Sequence, residues 1–348
     1  MSEIFLNGMD VSFLDEIEQT GGTYSADGHT GEALGILKRA GANSIRLRVW
    51  NDPAGGFCNL ERTVVMAQKI KSRGLHFLLD FHYSDKWADP MNQWKPKAWE
   101  ALSFERLTEA VGDYTEEVLR ALQAAGALPD MVQIGNEITP GMLWDEGRVG
   151  GEQYDTDEQW RRLAELVKSG IDAAKRVDEG IRIMIHIDRG GDNPASRRFY
   201  DRFAELGVPF DTIGLSFYPW WHGTLEDLRQ NLHDLADWYS KEIVVVETAY
   251  PWTLTPPASG EELIVKDETQ LLPEYPATVE GQTRYLRDFI EVIRSTPGGK
   301  GIGFHYWEPA WIPSKPEWSV GHANNWSNLT LFDYEGKALD SLSVLKRG

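Results

Sequence analysis

With 348 residues the chain is long enough for two average domains, although single α/β barrels commonly reach this length. Its 35 basic and 54 acidic residues leave a formal net charge of −19, which works against binding nucleic acid, anionic membranes or a polyanionic substrate. A single cysteine, Cys58, excludes an intrachain disulfide and tolerates a reducing compartment.

No stretch approaches the roughly 18 apolar residues that cross a bilayer. The N-terminus has no basic segment followed by an apolar run. The expectation is therefore a cytoplasmic protein as the sequence stands, or a secreted one whose leader was removed. A monomer is expected.

In chain order, eight short runs rich in Val, Ile, Leu and aromatic residues recur at 4–11, 44–50, 75–82, 131–137, 181–187, 212–218, 243–248 and 301–307. Between them lie stretches with apolar residues at helical spacing, namely 61–72, 103–125, 157–177, 195–206, 225–240 and 278–294. Eightfold strand–helix alternation predicts a single (β/α)8 TIM barrel spanning 1–348 as one catalytic domain. An open doubly wound sheet is the alternative, but no Gly-rich phosphate loop follows the first strand. The Pro/Trp-rich stretches 83–100, 138–156, 249–277 and 308–330 all follow strands, on the face where barrel active sites lie.

Polar residues close the predicted strands: Asp10; Arg46 and Arg48; Asp80 and His82; Asn136 and Glu137; His186 and Asp188; Tyr218; Glu247; and His305, Trp307 and Glu308. In a barrel these converge on one mouth. Two glutamates at strand ends, Glu137 and Glu247, are the minimum equipment for cleaving a glycosidic bond. Several of the 14 tryptophans lie in polar loops, where indole suits the apolar faces of sugar rings. The three histidines also admit a zinc site, but the first strand has no His-x-His pair and no Cys cluster occurs. No G-x-S-x-G elbow supports a serine nucleophile.

Longer blocks narrow the reading: SIRLRVW (44–50), LDFHYSDKWADP (79–90), VQIGNEIT (132–139), IHIDRGGDN (185–193), IGLSFYPWWHGTL (213–225), VVETAYPWT (245–253) and YWEPAW (306–311). Together they resemble glycoside hydrolase family 53, the endo-β-1,4-galactanases (arabinogalactan endo-β-1,4-galactosidases). The resemblance implies a retaining endo-hydrolase of β-1,4-galactosidic bonds in galactan, type I arabinogalactan or galacto-oligosaccharides. It implies Glu137 as acid/base and Glu247 as nucleophile. Asn136 would bond the 2-hydroxyl of the sugar in the −1 subsite, Arg46 would keep the nucleophile ionised, and Tyr218 would orient it. Trp307 would floor the −1 sugar, while Trp87, Trp220, Trp221, Asp188 and His82 would line neighbouring subsites.

No cofactor is expected. Some bacterial members of the family hold calcium through Asp, His and Asn in the loop after the seventh strand. Here residues 249–277 contain neither His nor Asn, so the usual ligands are absent, although an acidic residue such as Asp267 offers oxygen ligation. Another activity of the same clan and a non-catalytic carbohydrate-binding barrel are the alternatives. The presence of both carboxylates argues against the second.

Overall fold

The computed structural model describes residues 5–347. Eight parallel strands close a barrel in sequential order: β1 (Leu6–Asp10), β2 (Ser44–Val49), β3 (His76–Phe81), β4 (Met131–Ile134), β5 (Arg182–Ile187), β6 (Thr212–Ser216), β7 (Glu242–Thr248) and β8 (Gly301–Trp307). This is the (β/α)8 architecture expected from the alternation. The first predicted run began at residue 4, which lies outside the described residues. Every residue of β2 is buried, Arg46 and Arg48 included. Buried guanidinium groups are costly unless paired, so β2 already marks a polar interior.

The helices are α1 (Leu14–Gln19), α2 (Ala33–Ala40), α3 (Leu60–Ser72), α4 (Phe104–Ala124), α5 (Asp157–Val177), α6 (Asn193–Glu205), α7 (Pro219–His222), α8 (Leu225–Tyr239) and α9 (Val279–Arg294). The six expected from periodicity begin where a short polar side chain accepts an otherwise orphaned backbone N–H. These caps are Asn59, Ser103, Thr156, Asp192, Thr224 and Thr278. The helices α1, α2 and α7 were not anticipated. α1 has six residues and α7 four, too few to show a period, and neither α1 nor α2 has a side-chain cap.

By contacts the chain divides into two compact units. One runs to Arg46 and resumes at Phe217, and the other is Leu47–Ser216. In the first, β1 is flanked by β8 and by the start of β2. Asp10 stands opposite both Arg46 and Trp307, and Gly8 opposite both Ser44 and His305. Side chains two apart on a strand share a face, so these are two interior layers. The lower one has room for His305 because Gly8 has no side chain. A Cβ there would lie 2.3 Å from the imidazole Cδ2. His305 Nε2 lies 2.9 Å from Ser44 Oγ, so this histidine fills the barrel floor rather than the mouth. Glu308 is also removed from the expected mouth set. It is fully buried, and its carboxylate accepts the Phe13 N–H at 3.1 Å, tying down the segment after β1.

In the second unit, β3, β4, β5 and β6 pair in that order, with Phe81 opposite Ile134, Gln133 opposite Met184 and Gly214 opposite His186. Two strands stop earlier than their apolar runs suggest, β4 at Ile134 and β6 at Ser216. Gly135 turns into the left-handed region (φ 82°), and Glu137 follows at φ 47°. Glu137 is thus on a bend just beyond its strand. Among the described residues, no helix is long and apolar enough to cross a membrane.

Candidate active site

In the first unit, Glu247 is the sixth of seven residues in β7. Val245 pairs with Phe304 and Thr248 with Tyr306, so β7 carries one extra residue between them. A bulge of this kind re-aims a side chain, and here it falls in the pair Val246 and Glu247. The carboxylate is 6% exposed. Arg46 Nη1 donates to Glu247 Oε1 at 2.9 Å and to Asp10 Oδ2 at 2.8 Å, and Tyr218 donates its phenolic O–H to Glu247 Oε2 at 3.0 Å. Asp10 is held in turn by the Ser12 hydroxyl at 2.6 Å. Each Glu247 oxygen therefore meets a donor, one of them a buried cation, which favours the ionised carboxylate.

Aromatic rings surround this carboxylate. Tyr218 lies 5.4 Å, between ring centroids, from each of Trp220, Trp221 and Trp326. Trp307, at the end of β8, meets Trp326 edge-on at 4.6 Å. Trp221 is 55% exposed, Trp220 and Trp307 are half-buried, and Trp326 is 5% exposed. Trp326, one of the tryptophans in polar loops, is the shared support. Nothing local to its segment shows that it packs beneath two other loops.

In the second unit, Glu137 is 8% exposed and Asn136 5%. Ser216 Oγ, at the end of β6, donates to Glu137 Oε1 at 2.5 Å. His186 Nε2 lies 2.8 Å from the same hydroxyl, and His186 Nδ1 lies 3.0 Å from Asn136 Oδ1. Gln93 donates its amide to the Asn136 carbonyl at 2.7 Å, and Asn136 donates to the Ala88 carbonyl at 2.7 Å. These bonds fix the irregular backbone at 135–137. Ser216, Gln93 and Gln133 went unremarked in the sequence. The only signal was a serine closing an otherwise apolar run two residues before Tyr218.

His82 and Trp87 belong to the same unit. Both ring nitrogens of His82 are engaged: Nε2 with Asp80 Oδ2 at 3.0 Å, and Nδ1 as acceptor from Trp50 Nε1 at 3.0 Å and the Ala88 N–H at 3.1 Å. This assigns the Nε2–H tautomer and makes His82 a brace for the loop bearing Trp87. The Arg48 guanidinium lies 4.5 Å from the Trp87 ring and 4.8 Å from the Trp50 ring. Asp188 accepts from Thr139 Oγ1 at 2.5 Å and pairs with Arg189. Burial pushes its carboxyl above the ordinary range, against the pull of Arg189.

The strand-end carboxylates, the buried arginine and the tryptophan cluster describe a sugar-cleaving barrel in outline, and comparison with known proteins decides the family. The model of Glycosyl hydrolase family 53 matches residues 6–345. The chain belongs to glycosyl hydrolase family 53. A Niallia circulans relative, described as an uncharacterized protein in the bgaB 5′ region, is 68% identical over 347 residues, covering 99% of this chain and 94% of its own. The endo-β-1,4-galactanase of Bacillus subtilis (strain 168) is 32% identical, with 99% of this chain and 86% of that protein covered. The family 53 catalytic domain of Ignisphaera aggregans matches in structure with a TM-score of 0.92 at 41% identity, covering 98% of this chain and 95% of its own. As a family 53 member with a (β/α)8 barrel, the protein is a glycoside hydrolase.

Proposed function

We propose that this enzyme hydrolyses internal β-1,4-galactosidic bonds in galactan, type I arabinogalactan and derived galacto-oligosaccharides, with retention of anomeric configuration. The observation that carries the reading is the buried Glu247 carboxylate held between Arg46 and Tyr218 in a family 53 chain. Similarity to the endo-β-1,4-galactanase of Bacillus subtilis supports the substrate.

Glu247 acts as the nucleophile. One of its oxygens attacks the anomeric carbon while Glu137 gives its proton to the departing glycosidic oxygen, leaving a covalent glycosyl-enzyme. Glu137, now a carboxylate, takes a proton from water as that water attacks the same carbon and releases Glu247. Asn136 bonds the 2-hydroxyl and Trp307 floors the −1 sugar, braced from behind by Trp326. Trp87, Trp220, Trp221 and Asp188 line neighbouring subsites, with His82 holding the Trp87 loop. Incubation with galactan, monitored by NMR, is expected to give a β-anomer first and a ladder of short oligosaccharides, with little product from mannan or xylan. An α-anomer as first product would overturn retention. Galactose as the sole early product would overturn endo action.

The family's calcium site does not fit this chain. Residues 249–277 lack His and Asn, the Asp267 carboxylate accepts the Thr269 N–H at 2.8 Å, and Glu262 is paired with Lys266. We propose that the enzyme works without a bound metal. Dialysis against EDTA is expected to leave kcat/KM and Tm unchanged. A fall in Tm that calcium reverses would contradict this.

A further inference from the structure

We infer that Ser216 and His186 are positioning residues for Glu137, holding its carboxyl in one orientation through both of its protonation states. This rests on the acid/base reading of Glu137. Ser216 and His186 are fully buried, and Ser216 Oγ sits 2.5 Å from Glu137 Oε1 and 2.8 Å from His186 Nε2. A hydroxyl has one proton and two lone pairs, so it donates to a carboxylate or accepts from a carboxylic acid without moving its oxygen.

His186 accommodates either direction. When Ser216 donates to ionised Glu137, its oxygen accepts from Nε2–H. The bare Nδ1 is then met by Gln133 Nε2 at 2.8 Å and by the Glu137 N–H at 3.4 Å. When Glu137 is protonated, its O–H donates to Ser216, and Ser216 donates to Nε2. Nδ1–H then has Asn136 Oδ1 as acceptor at 3.0 Å, and the Gln133 amide, 2.8 Å away, has to turn its N–H aside. The Ser216 oxygen and the imidazole ring thus serve both states, with the Gln133 amide as the group that must turn. Passing from one state to the other exchanges the imidazole proton between Nε2 and Nδ1, while the Ser216 oxygen and the ring keep their places.

The chemistry needs this symmetry. A retaining acid/base gives up its proton in the first half-reaction and recovers one in the second. A lysine or arginine in place of Ser216 would favour the charged form and weaken Glu137 as an acid. A neutral hydroxyl does not choose between the two forms, and in a buried site its hydrogen bond is costly to lose.

The test compares two substrates in Ser216→Ala. One is galactan, whose leaving sugar must be protonated. The other is 2,4-dinitrophenyl β-galactobioside, whose leaving group departs as a stable phenolate. Mispositioning of Glu137 is expected to lower kcat/KM on galactan by about tenfold or more, part of the roughly 10²–10⁴-fold that general acid catalysis contributes, and to leave the aryl substrate nearly unchanged. Ser216→Thr is expected to restore the galactan rate. The ratio of the two kcat/KM values does not depend on how much of the variant is folded, so a loss of folded protein cannot mimic the result. Equal losses on both substrates, or no loss on galactan, would overturn the inference. Glu137→Ala is run alongside. If it shows no such split, the acid/base reading itself fails, whereas a split there and none in Ser216→Ala overturns the positioning role alone.

Discussion

Replacing Glu247 with alanine is expected to lower kcat on galactan by on the order of 10⁵-fold or more, the scale seen when a covalent nucleophile is removed from an enzyme. The fold should survive, because Arg46 keeps its 2.8 Å bond to Asp10 and only one buried carboxylate is lost. Chemical rescue then separates the roles of the two glutamates. In Glu247→Ala, the proposed mechanism predicts that azide entering the vacated space attacks an activated aryl galactobioside from the face assigned to Glu247 and gives the α-glycosyl azide. In Glu137→Ala the proposed mechanism predicts that the covalent intermediate still forms and that azide attacks it from the opposite face to give the β-azide. NMR of the two products checks the assignment. Exchanged anomers would mean exchanged roles, and wild-type-like turnover of Glu247→Ala would remove Glu247 from the chemistry.

Which parts of this site could be read from the chain follows from the range of the interactions involved. Parallel strands covered by helices must be apolar on both faces, so each left a continuous run in the sequence, and the strand ends emerged within a few residues. The layered depth of the mouth did not. His305 and Trp307 share a face of one strand, and only the register with Gly8 and Asp10 shows that one fills the floor and the other faces the opening. The termination of β4 was also hidden. Gly135 was visible, but the bonds that fix the bend at Glu137 come from Gln93, 44 positions earlier in the chain. The bulge at Val246 and Glu247 depends on how β7 pairs with β8, which no local pattern encodes. Ser216 and Trp326 share this property. Each is ordinary in its own segment and acquires a role from side chains far away in sequence.

The balance of charge around Arg46 leads to the second large effect. Its guanidinium is 1% exposed and lies within 3 Å of two carboxylates, on Asp10 and Glu247, that are themselves 1% and 6% exposed. Arg46→Ala leaves two buried acids without their shared cation. Removing one partner of a buried ion pair typically costs about 3–5 kcal/mol, and a triad with one cation for two anions falls at the upper end. The expected result is a large fall in Tm, readable by calorimetry. The lost cation also favours the protonated form of Glu247, so the acid limb of the kcat/KM profile is expected to move to higher pH. Arg46→Lys keeps the charge but replaces a planar fork with a point donor on a shorter reach, and should recover stability better than activity. Asp10→Asn supplies the complementary check. It removes one of the two anions competing for the guanidinium and keeps an oxygen for the Ser12 hydroxyl, so Arg46 is left to Glu247 alone. Its acid limb should therefore stay in place or move to lower pH, the opposite of Arg46→Ala. A shift in the same direction as Arg46→Ala would show that the pH dependence comes from general loosening of the barrel mouth and not from the charge beside Glu247.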